Sequence, residues 1–257
     1  MSKPAEVLLS ARHLGVVFGG LRAVDDVSFD VRRGEVFTLI GPNGAGKTTV
    51  FNLISRIYQP SSGEIRYRSA GGEVVLTQQP AHKVAALGIA RTFQNIELFE
   101  HASVLRNLLI GHHTHRGSHF WGELFFTPAT RRAERQARAA VEQVIDFLDL
   151  QKYRDLMVSG LPYGVRKVVE LGRALCARPE LLLLDEPSSG LNVEETDDMA
   201  FWIHDIVRDL RITVLMVEHD MGLVSRVSDR VVALNQGQVL ASGTPAEVQA
   251  SAAVAEA

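Results

Sequence analysis

Residues 41–48 read Gly41, Pro42, Asn43, Gly44, Ala45, Gly46, Lys47 and Thr48, which fits the spacing G-x-x-x-x-G-K-S/T without a mismatch. That spacing is chemistry for phosphate. Gly44 and Gly46 let the backbone turn tightly, so that successive N–H groups converge on phosphate oxygens. Lys47 supplies a compact charge to the β- and γ-phosphates, the Thr48 hydroxyl is a ligand for Mg2+, and Thr49 completes the segment. A chance glycine turn is the bland alternative, and context weighs against it. The apolar run Val36 to Ile40 precedes the loop, and Val50, Phe51, Leu53, Ile54 and Ile57 follow at helical spacing. The N-terminus of that helix adds its own donors and the positive end of its dipole.

A phosphate loop alone leaves kinases, GTPases and motor ATPases open. Two carboxylates narrow the field. Leu181 to Leu184 is a run of four leucines that ends in Asp185, Glu186 and Pro187. As a buried strand it delivers both acids to the carboxyl edge of a sheet, where open α/β sheets bind ligands. Asp185 is suited to hold Mg2+ through its water shell, and Glu186 to orient or deprotonate an attacking water.

The elements that must position these groups are also legible. Val27, Phe29 and Val31 alternate with Ser28, Asp30 and Arg32, as in a strand with one buried face. Val36–Ile40 predicts a strand buried on both faces, and a helix is expected from Lys47 to Ile57. A strand-rich stretch is expected from about Gly63 to Leu76, and a mostly helical one from Ser103 to about Ala177. Within the latter, His112 to Thr127 predicts a loop. Strand signals return at Leu181–Leu184, Ile212–Val217 and Val231–Leu234, separated by helical stretches over Val193–Leu210 and Met221–Val227. Gln236 and Gly237 mark a hairpin, and Thr244, Pro245 and Glu247 predict an N-cap, a proline at N1 and a glutamate at N3. The order describes an α/β core interrupted by a helical subdomain over about 95–178, all within one domain of 1–257.

Composition bounds the reading. The 257 residues are 46% hydrophobic and 22% charged, with 27 basic and 30 acidic side chains and a net charge of -3. That balance argues against a generally cationic nucleic-acid binder, and no nucleic-acid partner is expected. No apolar run approaches the ~20 residues needed to span a bilayer. The lone Cys176, among apolar residues on an expected helix, reads as core rather than nucleophile. His112, His113, His115 and His119 invite a metal reading, but their irregular spacing without cysteine favours a solvated loop.

With these motifs in order, the sequence resembles the ATPase subunits of ABC transporters over nearly its whole length. The resemblance implies a P-loop NTPase core of the ABC ATPase type, with an N-terminal antiparallel β region and an inserted helical subdomain. It assigns Phe18 to stack on adenine, Gln94 to contact Mg2+ and water and to link the site to a membrane partner, and His219 to stand beside the γ-phosphate. Ser189, Gly190, Leu191 and Asn192 match a loop at the dimer interface, where many relatives carry aspartate in place of Asn192. The Gly-Leu-Asn version, with Arg91-Thr-Phe-Gln-Asn95 and Phe18-Gly-Gly-Leu-Arg-Ala-Val24, is similar to the class that imports branched-chain and other hydrophobic amino acids.

One element departs from that pattern. The family signature is usually Leu-Ser-Gly-Gly-Gln, and here the segment is Leu161, Pro162, Tyr163, Gly164 and Val165. In the resemblance this segment caps the γ-phosphate of ATP held by the opposite subunit. Pro162 offers neither a hydroxyl nor an N–H, so the site it completes is expected to be attenuated while this chain's own phosphate site is intact. The family further implies a second ATPase subunit bound head to tail, two transmembrane permease subunits docking near Gln94, a separate solute-binding protein, and work on the cytoplasmic face of the membrane. A competing reading, an ABC-type ATPase of DNA maintenance or translation, lacks the tandem nucleotide units, coiled-coil insertion or basic tract it would need.

Overall fold

A computed structural model of the chain describes residues 6–69, 71–112 and 128–255. In chain order the elements are β1 (Val7–Phe18), β2 (Leu21–Arg32), β3 (Val36–Ile40), α1 (Lys47–Ile54), β4 (Ser62–Ser69), β5 (Gly72–Val75), α2 (Ala81–Val84) and β6 (Ile89–Arg91). The helices α3 (Val104–His112), α4 (Pro128–Phe147) and α5 (Tyr163–Cys176) follow. Then come β7 (Leu181–Asp185), α6 (Val193–Arg208), β8 (Thr213–Val217), α7 (Met221–Val227), β9 (Arg230–Asn235), β10 (Gln238–Gly243), α8 (Pro245–Gln249) and α9 (Ala252–Ala255). The chain divides into two units, Met1–Gln94 with Glu180–Ala257, and Asn95–Pro179.

The first unit holds two sheets among the described residues. One is antiparallel in the order β2-β1-β4-β5, and the other runs β10-β9-β3-β8-β7-β6. In the second sheet β9, β3, β8, β7 and β6 are parallel, with β10 antiparallel at the edge. Sequence explains the choice. Every residue of β3, β7 and β8 is buried, which suits strands covered on both faces, whereas β2 buries alternate residues. Parallel strands send their carboxyl ends to one edge. Leu39 pairs with Val217, and Val217 with Asp185, so the chain leaves β3, β8 and β7 in one row.

The core of this unit joins both sheets to α1, with Leu14, Val27, Phe37, Leu39, Phe51 and Leu215 in one buried cluster. Burying each such side chain contributes about 1.5–3 kcal/mol before entropy is counted. The α1 helix stops at Ile54, short of the expected Ile57, because Arg56 adopts a left-handed φ of 61°. The buried Arg56 donates Nε to the Gln79 carbonyl at 3.0 Å, and Ile57 is exposed. The expected hairpin is present, with Gln236 and Gly237 both left-handed at φ 48° and 79°. So is the C-terminal cap: Thr244 Oγ1 accepts from Glu247 N, and the Glu247 carboxylate from Thr244 N.

The second unit is helical among its described residues, built on α3, α4 and α5. Leu108, Val141, Ile145, Leu148, Val169 and Leu171 are buried. Gly172 permits close helix approach, since a Cβ there would meet Leu108 and Leu148 side-chain carbons at 3.0 Å. Cys176 lies buried at the end of α5, and burial pushes its thiol pKa up to about 12, so it stays protonated and unreactive at neutral pH. His112 differs from the loop expectation: it closes α3, with Nδ1 3.2 Å from the Cys176 carbonyl oxygen. The rest of that expected loop, with His113, His115 and His119, lies outside the described residues.

Candidate nucleotide site

The phosphate loop leaves β3 and is clamped from behind. Gly41 has φ 145°, and a Cβ on it would stand 2.1 Å from the Leu234 carbonyl oxygen. Gly46 has φ 99°, and a Cβ there would stand 2.6 Å from the Ala23 carbonyl oxygen. Both positions therefore demand glycine for crowding as well as for backbone angle. The Gln236–Gly237 turn props the loop, since Gly237 N donates to Ala45 O at 3.1 Å and Asp25 N to Gly237 O at 2.8 Å. Lys47 is only 6% exposed, and its Nζ donates to the carbonyls of Gly41 at 2.7 Å and Pro42 at 2.9 Å. Burial lowers its pKa, with the negative charges of Glu186 and Asp185 acting the other way. Pro42, Asn43, Gly44 and Thr48 are exposed around it, while Ala45 is buried and Thr49 half-buried.

At the end of β7 the two acids part company. Asp185 is buried at 3% exposure, with Oδ2 accepting from Arg91 Nη2 at 2.7 Å. Glu186 takes a left-handed conformation, φ 49°, its N–H held by Val217 O at 3.0 Å. A non-glycine residue held there stores roughly 1–3 kcal/mol of strain, and such strain gathers at functional sites. Glu186 Oε2 accepts from Gln94 Nε2 at 2.8 Å, and His219 Nδ1 lies 3.9 Å from the same oxygen. Residues separated by more than ninety positions thus meet around one carboxylate oxygen.

Glu218, beside His219, is a further member of the site that no motif singled out. It is fully buried. Oε1 accepts from Ser188 N at 2.9 Å, and Oε2 accepts from His219 N at 2.9 Å and Asp220 N at 3.2 Å. One carboxylate therefore ties the turn after Glu186 to the turn that carries His219. An acid directly after the apolar run of β8 was the available signal.

Other expected site residues occupy different settings. Phe18 ends β1, 42% exposed, with its ring edge-on to Tyr58 at 5.0 Å. Ser189 N donates to Glu186 O at 3.1 Å, Gly190 has φ 79°, and Leu191 N donates to Ser188 O. Asn192 is the N-cap of α6: its Oδ1 accepts from Glu195 N, and Glu195 Oε2 from Asn192 N, both at 3.0 Å. In the second unit Pro162 is the N-cap of α5 without a side-chain cap; Tyr163 is exposed, Val165 half-buried, and Leu161 and Gly164 are buried.

The donors suit magnesium held with a nucleotide. Mg2+ keeps several waters and takes one or two carboxylates plus phosphate oxygens. A hydroxyl at Thr48, a carboxylate at Asp185 and the amide of Gln94 meet that need without a dedicated cage. Among the described residues no group of three His, Cys, Asp or Glu side chains forms such a cage.

A phosphate loop after β3 of a parallel sheet, with two acids at the end of β7 on the far side of β8, defines a nucleotide-binding site of the P-loop class. The chain belongs to the ABC transporter family, whose sequence profile matches residues 24–189. It is 42% identical to the high-affinity branched-chain amino acid transport ATP-binding protein BraF of Pseudomonas aeruginosa, over 97% of this chain and 95% of that one. The corresponding protein LivG of Escherichia coli is 38% identical over the same shares. Among solved structures, the ADP conformation of MJ1267, an ATP-binding cassette of an ABC transporter, superposes with a TM-score of 0.83 at 27% identity, covering 97% of both chains.

Proposed function

We propose that this chain is the ATP-binding and ATP-hydrolysing subunit of an importer for branched-chain or related hydrophobic amino acids. The observation that carries the substrate class is near-full-length similarity to BraF, and the Gln94–Glu186–His219 geometry supports the hydrolytic role. Its two units act as one nucleotide-binding domain, 1–257, with the helical subdomain over about 95–178. ATP lies on the loop from Gly41 to Thr49, with Phe18 against adenine and Lys47 on the β- and γ-phosphates. Thr48, Asp185 and Gln94 hold Mg2+, which neutralises phosphate charge when bound. Glu186 takes the proton of the attacking water, Gln94 fixes the carboxylate that does so, and His219 stands beside the γ-phosphate.

A second ATPase subunit completes the site with its own signature, in a homodimer or a heterodimer, and Ser189 to Asn192 line the contact. Two permease subunits and, through them, a solute-binding protein place the work at the cytoplasmic membrane face. No helix among the described residues is long and apolar enough to cross a membrane. The test is co-purification with the membrane subunits and a solute-binding protein, followed by ATPase assays with candidate solutes. Leucine, isoleucine or valine should stimulate turnover. Stimulation only by an unrelated solute, or no stimulation by any solute, would refute the substrate class.

The signature departure makes a second prediction. Pro162 presents no hydroxyl, and a hydrogen bond to a charged group is worth about 1.5–3 kcal/mol. Proline at this N-cap needs no helical N–H, so Pro162→Ser is compatible with α5. In the assembled complex it should tighten ATP binding and raise turnover at the site it faces. Unchanged affinity and unchanged rate would remove the attenuation.

A further inference from the structure

We propose that Arg91 is a positioning residue that fixes Asp185 for magnesium and ties it to the helix carrying the phosphate loop. The proposal rests on the reading of Asp185 as a magnesium-holding group. Arg91 closes β6, three residues before Gln94, and its side chain is 9% exposed. Its guanidinium reaches three residues on two elements. Nη2 donates to Asp185 Oδ2 at 2.7 Å, while Nη1 donates to Asn52 Oδ1 at 2.8 Å and to Ser55 Oγ at 3.1 Å. The Phe51 and Phe93 rings flank the guanidinium carbon at 5.5 and 5.2 Å. Nε is buried without a hydrogen-bond partner.

A buried ion pair is weak evidence for stability, because two desolvated charges often hold a fold no better than apolar side chains of equal volume. This one also leaves a guanidinium donor unsatisfied, so stability alone is a poor reason for it. Position explains it better. Asn52 lies on α1, which begins at Lys47, and Ser55 is its C-cap. The rigid guanidinium fork therefore sets the distance from the phosphate-loop helix to the end of β7. With Oδ2 committed to Arg91, the carboxylate of Asp185 has one orientation, and its second oxygen is the one offered to a metal-bound water. Thr92 reinforces the arrangement: Asp185 N approaches Thr92 Oγ1 at 3.4 Å, and Thr92 N donates to Leu183 O at 2.9 Å. Such partners of metal-holding groups tune metal affinity without touching the ion.

The test titrates Mg2+ against binding of a fluorescent ATP analogue to the full chain, with EDTA as the metal-free reference and thermal unfolding measured in parallel. Arg91→Met should raise the half-saturating Mg2+ by about 10–100-fold, the usual effect of losing an outer partner, with analogue binding in EDTA unchanged. Arg91→Lys keeps the charge but loses the fork, and should recover only part of the loss. Should Arg91→Met fail to fold, the pair Asn52→Ala with Ser55→Ala frees Arg91 from α1 and should shift the Mg2+ requirement less, in the same direction. Equal weakening with and without Mg2+ would make Arg91 merely structural and overturn the proposal, as would an unchanged Mg2+ requirement in every variant. Asp185→Asn separates the two ideas. If it raises the Mg2+ requirement while Arg91→Met does not, the Arg91 proposal alone falls. If it leaves the requirement unchanged, the reading of Asp185 falls and takes the Arg91 proposal with it.

Discussion

Replacing Glu186 with glutamine is expected to stop ATP turnover while leaving ATP bound and the cassettes paired. The substitution is nearly isosteric, and a glutamine carbonyl still accepts the bond that Gln94 Nε2 makes to Glu186 at 2.8 Å. What disappears is the negative charge and the capacity to take a proton. Positioned general bases contribute about 10²–10⁴-fold, so turnover should fall by that factor in a phosphate-release assay. Light scattering should show a dimer that persists with ATP and Mg2+ and separates when nucleotide is removed. Turnover at the native rate would exclude Glu186 as the base, and His219, whose Nδ1 stands 3.9 Å from it, would be the next group to test.

The parts of this site that the sequence disclosed share a physical trait: each is signalled by local chain chemistry. The phosphate loop needs glycines at fixed offsets, and β3, β7 and β8 are continuous apolar runs because both faces of their sheet are covered. The cap at Thr244 and the turn at Gln236 are equally local. What stayed hidden depends on residues distant in the chain. Glu218 looks like a surface acid until Ser188, thirty residues earlier, brings its N–H to the carboxylate. Arg91 became more than a motif flank only when β6 paired with β7 and set it against Asp185.

Two further residues have a structural partner beside the role that the resemblance implies. Asn192 stands where many relatives carry aspartate, in a loop that the resemblance assigns to the dimer interface. The structure uses its side chain as a helix cap with Glu195, a role that asparagine and aspartate fill about equally well. The difference therefore need not disturb α6, and any effect on pairing would come from the lost charge. The resemblance implies that Phe18 stacks on adenine, and its ring meets Tyr58, forty residues on, at 68° between planes. An edge-on neighbour leaves a ring face for another aromatic, which suits the proposed role. No local pattern in either segment announces that pair.

Lys47→Met should separate the site's affinity from the fold's stability. Methionine is unbranched and fits a buried lysine stem, but it carries no charge and no donor. A bond to a charged partner is worth about 1.5–3 kcal/mol, so affinity for ATP should fall by about 10–150-fold, read by equilibrium binding. The free chain should fare differently. Burial lowers the pKa of Lys47, which means that the folded state disfavours the charged amine relative to the unfolded chain. The sign follows for a base depressed on folding: the penalty is fully present at pH values below its folded pKa, and fades as pH rises from there through the unfolded value. At neutral pH the variant escapes that penalty while losing the bonds to the Gly41 and Pro42 carbonyls. With burial the leading cause of that lowered pKa, the Tm of the nucleotide-free variant should match or exceed that of the native chain. Adding ATP and Mg2+ should raise the native Tm more than the variant's at the same ATP concentration, since ligand stabilisation tracks affinity. A variant that still binds ATP as tightly as the native chain would break the assignment of Lys47 to the phosphates. A sharply lowered Tm would show instead that its bonds to the loop carbonyls outweigh its burial, making Lys47 a structural brace of the loop as well as a ligand for nucleotide.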